Sequence, residues 1–397
     1  MPIRKIKPEE KIMASKIFSI GFAWQLDLNS AEKNPEESQK GYEFVRAFFN
    51  EQGKMCSFLN SIPYEMRFSG HTVKMGGIGG VSSLPEERKN GNIRSLFYYS
   101  LEEMYKNDFA FSFLYPFSNT YYRQFGYESC YKRLYATIPL ESFKAFPKTG
   151  NVKHYLPNQD SKSVEAIKGV YDQFIQDKNL SIVRNDFLWK GLIDVEPYKT
   201  RQYTYIWYDD KGIPKSYIIF EAVGDGTYDM EVKELIWLDY ESLIGILGFL
   251  QNFSPLYKNF KCSFPEYLNL HIIFPEPIAI KSEILVSGMN RIVNMEKTLK
   301  LMDYPKEEGS LAILVDDPFL KWNCGTFLVT WDSNGVEVVK KDCPPDLSCS
   351  IQVITQLVTG YTSIEDYMGR EDVKVFNNAD TLAAVFNKKH LFINDFF

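Results

Sequence analysis

The sequence predicts a mixed α/β protein built from more than one domain, and three observations carry that reading. The 397 residues exceed what one hydrophobic core supports, because cores stop growing near ~250–300 residues. Residues 72–114 read as strand, loop, helix, strand, a βαβ unit whose two strands run parallel. The last third alternates short strands with short helices, an α+β pattern. At 45% hydrophobic and 24% charged residues the chain is composed as a folded protein, which excludes disorder as its main state.

The elements follow in order. Glu36–Glu51 reads as an amphipathic helix, with Tyr42, Val45, Phe48 and Phe49 at helical spacing. Thr72–Val81 reads as a strand weakened in its middle by Gly76, Gly77, Gly79 and Gly80. Pro85–Asn92 is a polar, turn-rich loop. Ile93–Lys106 is a helix with Leu96, Phe97, Leu101 and Met104 on its apolar face, and Phe109–Leu114 is a short apolar strand. A polar stretch around Gly150 marks a boundary. Beyond it, Val164–Ile175 reads as a helix, Gln202–Tyr208, Lys215–Ala222 and Glu231–Leu238 as strands, and Leu243–Leu250 as a helix. This repeats the strand-helix order of the first part, without its basic glycine-containing loop. A second boundary falls near Gly288. After it come a strand and helix from Met289, a strand at Leu311–Val315, and a hairpin of Cys324–Trp331 with Gly335–Lys340. The expected parts are therefore 1–150, 151–287 and 288–397.

Several function classes are disfavoured. The net charge is −6, from 45 basic and 51 acidic residues, which argues against a nucleic-acid partner. No run of about 18 apolar residues is present, so no membrane span is expected. The basic start, Met1–Pro8, lacks the apolar stretch of a secretory signal. The six cysteines form no CxxC pair and the four histidines no HExxH, so no metal site is expected, and the chain reads as cytoplasmic with reduced thiols. No GxSxG elbow supports a serine hydrolase.

The chemistry-bearing stretch is Val81–Arg94. A strand runs into a loop with Arg88, Lys89 and Gly91, then into a helix N-terminus at Asn92. Unpaired amides, the positive end of the helix dipole, a residue without Cβ and mobile cations are what a pyrophosphate needs. The alternative is a solvated, charged connection. A second stretch, Tyr121-Tyr122-Arg123-Gln124-Phe125-Gly126-Tyr127, reads as a short helix closed by Gly126 and leading into a strand. In this order the pair, R-x-x-G-x-x-R and then Y-Y-x-x-F-G-Y, resembles the acetyl-CoA-binding core of the GNAT superfamily of N-acetyltransferases. The whole chain resembles one branch of it, the enhanced intracellular survival acetyltransferases.

The resemblance implies tandem GNAT folds, each a mixed central sheet with flanking helices, the second degenerate. A C-terminal α+β domain like sterol carrier proteins would follow. It implies acetyl-CoA as cosubstrate and direct transfer to an amine of a small cationic compound, aminoglycoside-like or polyamine-like. The cosubstrate would be held by Val81, Ser82 and Ser83, by Arg88, Lys89, Asn90, Gly91, Asn92, Ile93 and Arg94, and by Phe117 and Ser118. Tyr122 would be the general acid, with a core aromatic as its alternative and Tyr121 as its neighbouring rival. The carboxylate of Phe397 would enter the first active site, with simple packing of the tail as the alternative. Asp395 could meet a cationic substrate. Trp24 with Asp27 and Glu32 forms a candidate acidic-aromatic substrate rim. Relatives of this kind are homo-oligomers, hexamers or trimers. Two other classes of function stay open: a non-catalytic acetyl-CoA sensor and a lipid-binding scaffold.

Overall fold

The computed structural model describes residues 2–29, 36, 39–157 and 160–397. It divides into two compact units. One holds Met1–Cys130, Gly288–Lys389 and Asp395–Phe397; the other holds Tyr131–Ser287 and His390–Asn394.

The first unit begins with β1 (Ile3–Lys5), α1 (Lys11–Phe22), β2 (Val45–Phe49), β3 (Met55–Phe68) and β4 (His71–Ser83). It continues with α2 (Asn92–Lys106), β5 (Phe111–Leu114), α3 (Asn119–Arg123) and β6 (Glu128–Ser129). The second unit supplies β7 (Lys132–Pro139), β8 (Asn151–Tyr155), α4 (Ser161–Phe174), β9 (Ile182–Val183), β10 (Gln202–Tyr208), β11 (Pro214–Asp225), β12 (Thr227–Trp237), α5 (Tyr240–Leu250), β13 (Tyr257–Pro265) and β14 (Lys281–Val286). The chain then re-enters the first unit with β15 (Met289–Ile292), α6 (Met295–Lys300), β16 (Gly309–Asp316), β17 (Gly325–Asp332), β18 (Gly335–Lys340), β19 (Leu347–Ser350), α7 (Ile351–Thr359), β20 (Lys374–Val375) and α8 (Ala379–Val385).

The first sheet runs β1-β2-β3-β4-β5-β15-β6, the second β14-β7-β13-β12-β11-β10-β8 and the third β18-β17-β16-β19-β20. Two strands sit in sheets that their chain position does not announce. β15 lies antiparallel between β5 and β6, so the first sheet is completed by a segment from beyond residue 288. β7 pairs with β13 and β14 in the second sheet.

The βαβ unit is as the sequence reads. β4 and β5 are parallel, and α2 buries Leu96, Phe97, Leu101 and Met104. Each such burial contributes roughly 1.5–3 kcal/mol. Gly76 makes room for this packing, since a Cβ there would lie 2.2 Å from Met104 Cε. The expected helix over Glu36–Glu51 is overturned where it is described. Tyr42–Phe44 is a single 3₁₀ turn, and Val45–Phe49 is β2, paired antiparallel with β1 and β3. Val45, Ala47 and Phe49 also alternate, and the ladder on both flanks decides for the strand. The sequence reading passed over α1 and the long strand β3 altogether.

Buried polar groups tie the first unit together. Arg291, on β15 and fully buried, pairs with Asp317 and donates to the Phe125 carbonyl. Asp317 also accepts from the amides of Phe319 and Leu320 at 3.1 and 2.9 Å. Gly126 lies at φ +81°, and a Cβ on it would fall 1.9 Å from the Arg291 guanidinium. Only glycine fits both the left-handed turn and that approach.

Candidate active site

The register between β4 and β5 runs from Met75↔Phe111 to Ile78↔Leu114 and stops there. β4 continues to Ser83, so its last residues part from β5. A bulge in the β3–β4 register and Gly80, at φ +59°, mark the same place. Among the described residues the main chain of Gly79–Ser83 thus has no strand on its β5 side, and its amides can meet an extended ligand. Val81, Ser82 and Ser83 all lie on this free stretch. Ser83 Oγ is bonded to Ser57 Oγ at 2.6 Å. Ser82 Oγ is buried without a hydrogen bond among the described residues and packs against α1, 2.9 Å from a Cβ placed on Gly21.

A 3₁₀ turn, Pro85–Glu87, leads into the basic loop, and Arg88, Lys89, Asn90 and Gly91 are exposed. Lys89 holds a left-handed φ of +67°, a strained conformation for a side chain with a Cβ. Gly91, at φ +79°, is the N-cap of α2, and among the described residues no side chain caps that helix. Among the described residues nothing lies within 4 Å of a Cβ on Gly91. The buried Asn92 amide nitrogen, in the first turn, has no hydrogen-bond partner among the described residues. Free helix amides, an orphaned donor and two exposed cations fit the pyrophosphate of a coenzyme A thioester. Ile93 is half-buried; Arg94 lays its guanidinium over the Phe319 ring at 4.9 Å.

Phe117 is exposed just past β5, with its ring 5.4 Å from that of Tyr122. Ser118 caps α3 by accepting from the Tyr121 amide at 3.3 Å. Tyr122 is buried in the cluster that contains Ile78, Leu114, Phe97 and Phe125, with Val81 packed against it. Its hydroxyl makes no hydrogen bond among the described residues. Burial raises its phenol pKa well above the ordinary value, and Tyr121 adds to the rise. Tyr127 is fully buried with its hydroxyl on Ser112 Oγ at 2.6 Å, a core position.

Phe397 lies on the opposite face of β4. Its ring covers Gly77, 2.7 Å from a Cβ placed there, and meets Tyr64 and Tyr115 at 4.8 and 5.4 Å between centroids. Its carboxyl carbon would be 3.1 Å from a Cβ on Gly79. The Tyr115 hydroxyl donates to the Asp395 carbonyl at 2.6 Å. Burial, with the Asp395 charge adding, pushes the Tyr64 phenol up to about 12. Strand alternation therefore sets Tyr122, by way of Ile78, on one face of the parting and Phe397, by way of Gly77 and Gly79, on the other. Phe396 is exposed.

Trp24 and Asp27 are exposed in the stretch that follows α1. Glu32 lies outside the described residues. Tyr64, Tyr115 and Asn60, whose Oδ1 is buried without a partner among the described residues, were not singled out from the sequence. Gly77 and Gly79 held the available signal: glycines two apart on a strand mark a close approach on one face.

A parted parallel pair running into an uncapped helix has the shape to receive an extended acyl thioester with a phosphate end, and sequence profiles match three parts of the chain. That of an acetyltransferase (GNAT) domain matches residues 2–130, a second acetyltransferase (GNAT) profile matches 180–292, and a sterol carrier protein domain matches 295–393. The chain carries two acetyltransferase (GNAT) domains, of a kind that generally uses acetyl-CoA as cosubstrate. Among solved structures it is similar over its whole length to a conserved protein of Enterococcus faecalis described as a probable N-acyltransferase (TM-score 0.87, 25% identity, 100% of this chain and 99% of that one). A GCN5-related N-acetyltransferase from Anabaena variabilis shares the fold (TM-score 0.85, 23% identity, 100% and 99%). So does Eis1 from Mycobacterium abscessus (TM-score 0.81, 17% identity, 100% of both chains). No curated protein sequence matches. Among the described residues no helix is long and apolar enough to cross a membrane.

Proposed function

We propose that the enzyme moves the acetyl group of acetyl-CoA directly onto an amine of a small cationic compound, of aminoglycoside or polyamine type. The observation that carries this is the parting of β4 from β5 at Ile78↔Leu114, with Tyr122 and Phe397 on opposite faces of β4. The free main chain of Val81–Ser83 would hold the pantetheine arm and polarise the thioester carbonyl. Arg88 to Arg94 would hold the pyrophosphate, and Phe117 with Ser118 would border the far wall.

The amine nitrogen attacks the thioester carbon; the C–N bond forms and the C–S bond breaks. The thiolate takes a proton from Tyr122, and the ammonium proton leaves on the Phe397 side. An ordinary phenol near ~10 is above a thiol near ~8.5, so that transfer is uphill by about 2 kcal/mol before burial steepens it. An ordinary terminal carboxylate near ~3.5 faces an alkylammonium near ~10, a gap of roughly 9 kcal/mol. The Phe397 ring is held among Tyr64, Phe113 and Tyr115, and the gap narrows as the amine loses basicity on attacking the carbonyl. Asp27 and Trp24 would border the incoming amine, with Asp395 as a further anionic group.

The reading extends to a place among the enhanced intracellular survival acetyltransferases, to work in the cytoplasm, and to a homo-oligomer, a hexamer or trimer. The three-part division drawn from the sequence belongs to the same proposal. An amine panel assayed with acetyl-CoA for free thiol tests the activity. Thiol release only when amine is present is expected; acetyl-CoA binding without release would make the protein a sensor. One residue added after Phe397 should cut turnover about tenfold or more by displacing the carboxylate. Full turnover of the extended chain would remove Phe397 from the mechanism.

A further inference from the structure

The second unit repeats the parting of the first. β12 and β13 run parallel from Tyr228↔Tyr257 to Glu231↔Lys261, and β12 then continues alone on that side to Trp237. The helix that follows, α5, is closed differently from α2. Asp239 is its N-cap and accepts from the Ser242 amide at 2.8 Å. A carboxylate therefore stands where a phosphate would need free amides, and it repels an anion.

Residues His390–Asn394 of the same chain run along the parting instead. Leu391 bridges Asn179 in parallel register; the Asn179 amide donates to the His390 carbonyl at 3.0 Å and the Phe392 amide to the Asn179 carbonyl at 3.1 Å. Ser181 Oγ donates to the Phe392 carbonyl at 2.9 Å, and Arg133 Nη2 to the Ile393 carbonyl at 3.3 Å. The Phe392 ring meets Phe174 edge-on, 5.0 Å between centroids. His390 stacks on Tyr267, just past β13, at 4.2 Å. This is peptide recognition by main-chain bonds with side-chain pockets.

One side chain of the segment is read by a buried charge. Asn394 Nδ2 donates to the Lys233 carbonyl at 2.8 Å and to Glu234 Oε2 at 3.0 Å. Lys233 stands two residues past the last parallel pair. Glu234 is fully buried and also accepts from Arg184 at 2.8 and 2.5 Å and from the Tyr217 hydroxyl at 2.5 Å. Arg184 is in turn covered by the rings of Tyr171 and Trp189. Arg184 and the Tyr217 hydroxyl orient the Glu234 carboxylate that the Asn394 amide meets.

We propose that the second lobe is a receptor for the chain's own segment His390–Asn394, read at Asn394 by the Arg184–Glu234 pair. Docking this segment, in place of a cofactor, positions the three residues that follow it. The last step rests on the reading of Phe397 above. Asn394, Glu234 and Arg184 are positioning residues; none touches the reacting atoms.

The test uses the full chain carrying Asn394→Ala, Asn394→Asp, and Asn394→Asp combined with Glu234→Gln. Amide exchange over Leu391–Ile393 and steady-state kinetics are read on each. Asn394→Ala should speed exchange there about tenfold and lower kcat with little change in the KM for acetyl-CoA. Asn394→Asp should do more, because it sets a second carboxylate against Glu234. The double variant returns one carboxylate and one amide to the pair but neither the donor to the Lys233 carbonyl nor the carboxylate that holds Arg184, so it should recover exchange and kcat in part, above Asn394→Asp alone. Unchanged exchange in Asn394→Asp overturns the latch. Fast exchange with unchanged kcat overturns the positioning role. Failure of the Phe397 reading shows elsewhere, as full turnover of the chain extended beyond Phe397 with exchange over Leu391–Ile393 unaltered.

Discussion

Tyr122→Phe is expected to lower kcat about 10²–10³-fold while leaving the KM for acetyl-CoA within about twofold. The argument is local. The hydroxyl makes no hydrogen bond among the described residues, so its removal strands no partner. The ring keeps its contacts with Phe97, Phe117 and Tyr121, and the core around it is undisturbed. Of the groups proposed to hold the cosubstrate, Val81 and Ile93 pack against the same cluster and Phe117 against the ring, and phenylalanine keeps those contacts. What is lost is a proton donor beside the parted strands. Burial, which raises the phenol, keeps that donor protonated across the working pH range. Steady-state kinetics with a melting curve decide it. An unchanged kcat would return Tyr122 to the core, and a lost melting transition would make it structural.

Asp317→Ala is expected to destabilise the first unit by ~3–5 kcal/mol, because it leaves a fully buried guanidinium uncompensated. At ~2–4 °C per kcal/mol for a unit of this size, the melting point should fall by about 10 °C. Burial already pulls the Arg291 pKa down, with Asp317 acting to restore it. Arg291 also donates to the Phe125 carbonyl at the Gly126 turn, so the loss should reach the Tyr122 motif. Replacing both partners, Arg291→Met with Asp317→Leu, should cost less than Asp317→Ala alone, because no charge is then stranded. Calorimetry of both variants checks the order. Equal melting points for Asp317→Ala and the parent would mean that the pair contributes nothing.

Much of the first site was legible because its chemistry is local in sequence. The loop from Arg88 to Arg94 has strand before it and helix after it, and Gly91 needs its positive φ whatever surrounds it. The Tyr121–Tyr127 motif is equally compact. The same locality misled at Val45–Phe49, where apolar spacing suits a helix and a strand alike and only the flanking ladders choose. Gly77 and Gly79 were visible as weakness in a strand. That they make room for Phe397 was not, because the side chain that fills them comes from the far end of the chain.

The sequence by itself determined the class of fold, the parallel βαβ unit and the basic loop that runs into α2, since each depends on neighbours a few positions apart. Tertiary structure alone decided that β15 completes the first sheet and β7 the second. It decided that Arg291 and Asp317 share one buried pair, and that His390–Asn394 lies along the parting of β12 and β13. Each of these joins segments far apart in the chain, where no local periodicity reports the partner. Strand pairing and desolvated charge select such contacts only once the whole chain is folded.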